Sequence, residues 1–312
     1  MSNIQITENG SGKYSPEWFY SESQTPEWIS FAHKADELRE NFINLFGIER
    51  LKSLFGKDLL TSLFYNDEGT KTNLCYRLEM DKDIREVFGS ISGGAAYKFG
   101  LFYHKKNQSW TCGSPLKPIH LTEDEAIQKA EEMRNDLVEG AEIISSFGPL
   151  DSEKDYEQLY KQLEHIPGIN MVWRMKYYQM LFPTLFAPFY GQDIQLRVLH
   201  FLNQKPSDIP FIRMGQISLY ARKCNVPGVV FAHIYGKNVG YTNETNDSDT
   251  NTLSDKKHKT HYWMYTVFDD KSWNECQQKG IMVLGMDDIG DYSQFASKEA
   301  LRQELIDVYD SS

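Results

Sequence analysis

Four aromatic residues near the C-terminal end, Tyr262, Trp263, Tyr265 and Trp273, are the side chains of this chain best suited to grip a planar ligand. A nucleobase taken out of its stack can be held between such π-faces. Asp287 lies in the turn Gly285-Met286-Asp287-Asp288-Ile289-Gly290-Asp291, where its carboxylate can accept a hydrogen bond from an exocyclic amine. The same rings would equally fill the core of a small β-barrel, and Asp287 would equally cap its own turn. Just upstream, Lys256, Lys257 and Lys259 form a short basic cluster that suits phosphate contact or, alternatively, a solvated charge run.

A second candidate is Trp173-Arg174-Met175-Lys176-Tyr177-Tyr178. Interleaved bases and aromatics suit a groove that tracks a nucleic-acid backbone while stacking on bases, which makes Arg174 and Lys176 candidate DNA-backbone contacts. Met171, Met175, Tyr178 and Phe182 also have the spacing of a core-facing helix, so the bland reading competes directly.

Other catalytic patterns are missing or incomplete. Gly10-Ser-Gly-Lys13 lacks the leading Gly spacing and the Ser/Thr of a phosphate-cradling loop. Asp269-Asp270-Lys271 has a nuclease-like look but no partner acids at useful spacing, and metal-assisted cleavage needs converging carboxylates. His258 and His261 stand in a Lys-rich stretch without further ligands, and no histidine pairs with a Ser or Cys in a triad pattern. Gly93-Gly94 could present backbone N–H groups to a phosphate or simply form a hairpin turn. The four cysteines, Cys75, Cys112, Cys224 and Cys276, are scattered, so no metal-type pairing is visible. The sequence therefore reads as non-enzymatic, with no metal site and no cofactor.

The balance of 33 basic against 44 acidic residues, a net charge of −11, argues against a surface coated for phosphate but leaves a local basic face open. The N-terminal residues lack the apolar core of a signal peptide, and no apolar run is long enough to span a bilayer. A cytoplasmic protein with no membrane partner is the expectation.

Several elements must position these residues. Residues 1–30 read as a polar segment with Trp18, Phe19 and Trp28 as anchors. Ala35, Leu38, Phe42 and Leu45 predict a helix over 32–46, and Leu51 to Leu63 a second. Alternation over 74–80 and again over 95–103 predicts two strands of an antiparallel sheet ending near Trp110. Thr122 and Glu125 form a capping box opening a long helix, and another helix covers 152–165. Residues 170–223 read as helical with breaks at prolines, and 229–235 as a strand or a buried helix end. The expected organisation is an α+β domain over 31–235, a polar linker over 236–260, and a β unit over 261–312.

The run Gly280-Ile-Met-Val-Leu-Gly-Met-Asp-Asp-Ile-Gly-Asp291, followed by Ser297-Lys-Glu-Ala-Leu301, resembles the opening of an EVE domain, a PUA-like β-barrel that reads modified bases. The form is similar to that in McrB-type restriction proteins. Residues 90–102, 170–181 and 219–224 are similar to segments in the N-terminal region of the same proteins. The resemblance implies a mixed sheet-and-helix domain followed by an incomplete PUA/EVE-like barrel, since such a module carries further strands after the 297–309 helix. It implies a non-catalytic part of a modification-dependent restriction system acting in phage defence. Its partners would be DNA with modified bases and AAA+ GTPase and nuclease chains. Its base-binding residues would be Tyr262, Trp263, Trp273 and Asp287. One departure is Met286, where the family's turn usually carries Trp; this would weaken stacking. The alternative is an interaction or scaffold protein, or a shortened gene product, that binds no base.

Overall fold

Proline and short polar side chains open many of the helices in the computed structural model. It describes residues 14–65, 71–92, 96–115 and 117–239, together with Ser297 and Ala300. Prolines open α1 (Pro16–Ser23), α2 (Pro26–Phe46) and, later, α11 (Pro210–Lys223), where the missing N–H is one that the helix leaves unpaired anyway. After α3 (Ile48–Lys52) and α4 (Gly56–Leu63), the side chains of Asn73 and Asp81 cap α5 (Leu74–Glu79) and α6 (Lys82–Phe88). Each accepts a backbone N–H of the first turn. The expected Thr122/Glu125 box opens α7 (Glu123–Ser146), and Ser152 with Asp155 opens α8 (Glu153–Leu163) in the same way. The remaining helices are α9 (Val172–Leu181), α10 (Gln192–Phe201) and α12 (Gly228–Val239).

Three expectations need correction. Residues 74–80 are helical rather than extended: the residues buried are Leu74, Cys75, Leu78 and Glu79, a helical stripe, and Asn73 accepts the Tyr76 N–H at 2.8 Å. The apparent alternation fails as a strand signal because Cys75 is itself apolar and buried. The stretch 95–103 is extended only from β1 (Leu101–His104), after a 3₁₀ turn over Ala96–Phe99. The sheet also runs on past Trp110. β1 pairs antiparallel with β2 (Ser109–Ser114), which pairs antiparallel with β3 (Lys117–Leu121), in the order β1-β2-β3. Finally, the polar segment before residue 31 contains α1 and the start of α2, and α1 packs on α12 and α2. Its anchors are placed as expected, with Phe19 and Trp28 buried. Residues 229–235 take the helical alternative, inside α12.

The fold is α+β; the described residues are mostly helical, with one small open sheet among them. Register puts Leu101, Cys112 and Ile119 on one sheet face with Tyr103, Trp110 and Leu121; Phe102, Thr111 and His120 lie on the other with His104 and Ser109. The first face joins the core beside α7 through Leu101 and Trp110. The centre of the core is α9, where every residue from Trp173 to Met180 is buried. A helix covered on all sides has no solvent face to carry its polar groups. The chain divides into two compact units, 1–242 and 243–312. In the second, the Ala300 N–H donates to Ser297 Oγ at 3.1 Å, the geometry of a helix N-cap; the expected PUA/EVE-like barrel otherwise lies outside the described residues. Among the described residues no helix is long and apolar enough to cross a membrane.

Packing between α8 and α11 makes one local demand testable. At Gly215 a Cβ would overlap the Tyr156 ring, which is fully buried and tied through its hydroxyl to Leu185 O at 2.6 Å. Gly215→Ala should destabilise the chain by about 1 kcal/mol, the net of overpacking at ~1–3 kcal/mol and a helix-propensity gain of ~1 kcal/mol. Urea denaturation checks this; a stabilised variant would show that the Tyr156 ring can move aside.

Candidate functional site

Lys176 lies on the innermost helix, and its ammonium group is spent on the backbone. Its Nζ donates to Leu78 O at 2.8 Å and to Gly89 O at 2.6 Å, and sits 5.8 Å from the centre of the Tyr190 ring. Burial, with Arg85 adding repulsion against the attraction of Asp81 and Glu79, lowers its pKa to about 7. Arg174 is 3% exposed. It faces Asp136 at 3.5 Å and lies 5.1 Å from the Trp173 ring, and burial lowers its pKa. Phosphates outside the protein cannot reach either cation. The interleaved pattern is thus the core helix of the second reading, and Arg174 and Lys176 are corrected from DNA contacts to internal anchors. Met171 departs from that reading, being 40% exposed at the N-cap position of α9.

Around Lys176 a set of side chains collects the carbonyls at the end of α6. His233 Nε2 donates to Val87 O at 2.8 Å, Tyr190 OH to Phe88 O at 2.9 Å, Lys176 to Gly89 O, and Lys98 Nζ to Ile91 O at 3.2 Å. The Val87, Phe88 and Gly89 carbonyls are those that a helix C-terminus leaves without partners, at its negative dipole end, while Ile91 lies just beyond it. Lys98 also pairs with Glu79, which accepts the Tyr65 hydroxyl at 2.9 Å. Tyr190 OH bonds Gln179 Oε1 at 3.0 Å as well. The four donors come from α12, the segment before α10, α9 and the 3₁₀ turn, so the residues leading to Gly93-Gly94 are held from several sides. Gly93 and Gly94 themselves lie outside the described residues.

This cluster is poorly equipped for catalysis. Burial raises the Cys75 thiol well above its ordinary value, and pushes Cys224 up to about 12, so both stay protonated. Burial also raises the phenols of Tyr177, Tyr178 and Tyr190, and lowers the His233 pKa, keeping that imidazole neutral as a donor to Val87 O. Among the described residues no three His, Cys, Asp or Glu side chains converge as metal ligands. Two surface depressions lie at the start of α10 around Asp193 and Arg197, and between α3 and α7 around Glu139 and Glu142.

The other sequence-derived candidates, Tyr262, Trp263, Trp273 and Asp287 for a base and Lys256, Lys257 and Lys259 for a backbone, lie outside the described residues, as do Gly10–Lys13, Asp269–Lys271, His258 and His261. Exposed lysines that no sequence motif marks stand at the two hairpins of the sheet: Lys105 and Lys106 between β1 and β2, Lys117 at the start of β3. The signal that finds them is an absence of opposite charge, since no Asp or Glu occurs between Glu86 and Glu123. No protein-family model matches the chain, and the comparisons with curated proteins and with solved structures find no match either.

The buried ammonium makes folding pH-dependent in a stated direction. Between the folded pKa of about 7 and the unfolded value near ~10.4, the unfolded chain binds a proton that the native chain has released, so stability from this group rises with pH. The unfolding free energy of wild type relative to Lys176→Met should grow between pH 7 and 9, by at most ~1.4 kcal/mol per pH unit. Chemical denaturation of both proteins at several pH values measures the difference; a gap independent of pH would refute the assignment.

Proposed function

We propose that this chain is the non-catalytic DNA-recognition component of a McrB-like, modification-dependent restriction system, in which the segment from His261 onward reads a modified base. One observation carries the reading: the aromatic run Tyr262-Trp263-Met264-Tyr265 stands just ahead of Trp273 and the Gly280–Asp291 turn, in the order an EVE domain uses. Tyr262 and Trp263 supply π-faces for an extruded base, Trp273 supports them, and Asp287 accepts from an exocyclic amine. Each base–aromatic stack contributes roughly 1–3 kcal/mol, enough to offset the few kcal/mol of unstacking when the target base is extruded. Lys256, Lys257 and Lys259 serve as phosphate contacts beside it. The helical unit acts as the scaffold, and GTP hydrolysis and strand cleavage fall to AAA+ GTPase and nuclease partner chains. Such a division of labour agrees with the protonated thiols and the scattered acids of the described unit.

Binding of the full chain to duplexes that differ only in one modified cytosine tests this, over a series of salt concentrations. The modified duplex should bind tighter, and Trp263→Ala should reduce that preference about tenfold, the equivalent of one lost stacking contact. Equal binding to both duplexes by the wild-type chain would defeat base reading and leave a scaffold protein as the better description.

A further inference from the structure

We infer that the three-stranded sheet is a docking surface for the phosphate backbone of duplex DNA, gripped through Lys105, Lys106 and Lys117. This goes beyond the base-reading proposal, sharing its partner but none of its residues. The first support is charge. The chain carries 44 acidic residues and a net charge of −11, yet from Val87 to Thr122 it has none, while Lys98, Lys105, Lys106 and Lys117 fall in that run. Other long acid-free runs, 165–192 and 209–239, form α9, α11 and α12, whose residues are largely buried. Here the run is at the surface: residues 105–108 and 117–120 are exposed throughout. Lys98 is turned inward to Glu79, but Lys105 and Lys117 form no ion pair with a described residue.

The second support is geometry. His104 pairs with Ser109 to close the first hairpin and Ser114 with Lys117 to close the second, so the lysines stand at opposite ends of the six-residue strand β2. At ~3.4 Å per residue they are separated by about 17 Å, close to the rise of about five base pairs. Between them, on the face that carries the buried Phe102 and Thr111, His120 is exposed and its Nδ1 lies 3.1 Å from Oγ of the half-buried Ser109. Such hydroxyl and imidazole groups can hydrogen-bond phosphate and sugar oxygens. The first turn, Lys105-Lys106-Asn107-Gln108, pairs its two cations with amide side chains, the residue types that meet base edges in a groove wide enough for a β-ribbon. An anionic polymer is repelled over most of this protein and admitted here, so net charge sets where it docks.

The test uses the full chain and an unmodified duplex of about 20 base pairs. The variant Lys105→Glu/Lys106→Glu/Lys117→Glu should bind at least tenfold more weakly at low salt, with a log–log salt slope smaller by about two to three, near 0.9 per lost phosphate contact. A Lys→Gln triple variant at the same sites should show the same loss to a smaller degree. A control with equal net charge, Lys34→Glu/Lys161→Glu/Lys205→Glu at exposed positions outside the sheet, should bind far better than the sheet variant. An equal fall in the control, an unchanged slope in the sheet variant, or a loss seen only with phosphatidylserine vesicles and not with DNA would each overturn the proposal. Its failure is separable from that of base reading. Retained preference for the modified duplex with no effect of the sheet lysines defeats the sheet alone. Lysine-dependent binding without any preference defeats the reader alone.

Discussion

The described unit depends on burying a helix that brings its own polar groups inside. Along α9, the Tyr177 hydroxyl donates to Phe46 O at the end of α2 at 2.9 Å, the Tyr178 hydroxyl to Asp136 O of α7 at 3.4 Å, and Lys176 to carbonyls of α5 and of Gly89. A buried polar group without a partner costs about 1–3 kcal/mol, more if charged. These bonds therefore select one arrangement of the surrounding helices, because sliding any of them would strand a donor in apolar surroundings. Packing of the Trp173 and tyrosine rings supplies area; the hydrogen bonds supply registration.

The same constraint explains why α6 ends as it does. A helix C-terminus buried against other elements needs donors for its last carbonyls, and His233, Tyr190 and Lys176, all from distant parts of the sequence, provide them. Two of these, Lys176 and His233, have pKa values drawn downward by burial, so the fold holds nitrogen bases where their neutral forms can still donate. A positive charge here is tolerated by the carbonyl dipoles but opposed by desolvation, and desolvation is the larger effect. With these donors turned inward, the cations of α9 serve the scaffold, and any anionic partner has to be met elsewhere on the molecule.

Charge is partitioned accordingly. Exposed carboxylates dominate the long helices, as in Glu123, Asp124 and Glu125 at the start of α7, where they also favour the helix dipole. The sheet, by contrast, presents lysine and histidine without acids. Such a partition would let an anionic partner be guided by exclusion as much as by attraction. Under the proposed function, base extrusion would need the duplex held while one nucleotide is turned out, and the two proposals assign grip and readout to different residues.

Local signals in the sequence were reliable wherever the deciding interaction spans a few residues. The Thr122/Glu125 box and the helices over 32–46 and 152–165 were legible because a cap or an amphipathic stripe is complete within a turn or two; the prolines that open α1, α2 and α11 read only as polar sequence or as breaks. Residues 74–80 misled because Leu74, Tyr76, Leu78 and Met80 fit a period of two, while burial of Cys75 and Glu79 against neighbouring elements belongs to tertiary packing. For the interleaved segment 173–178, composition alone left a phosphate grip and a core helix open. What decided between them was the arrival of carbonyls from Leu78 and Gly89, far away in sequence, within hydrogen-bonding distance of Lys176. The sequence by itself determined the capped start at Thr122, which residues are acidic and where acids are missing; the tertiary structure decided which cations face water, because exposure is set by long-range contacts that no local spacing encodes.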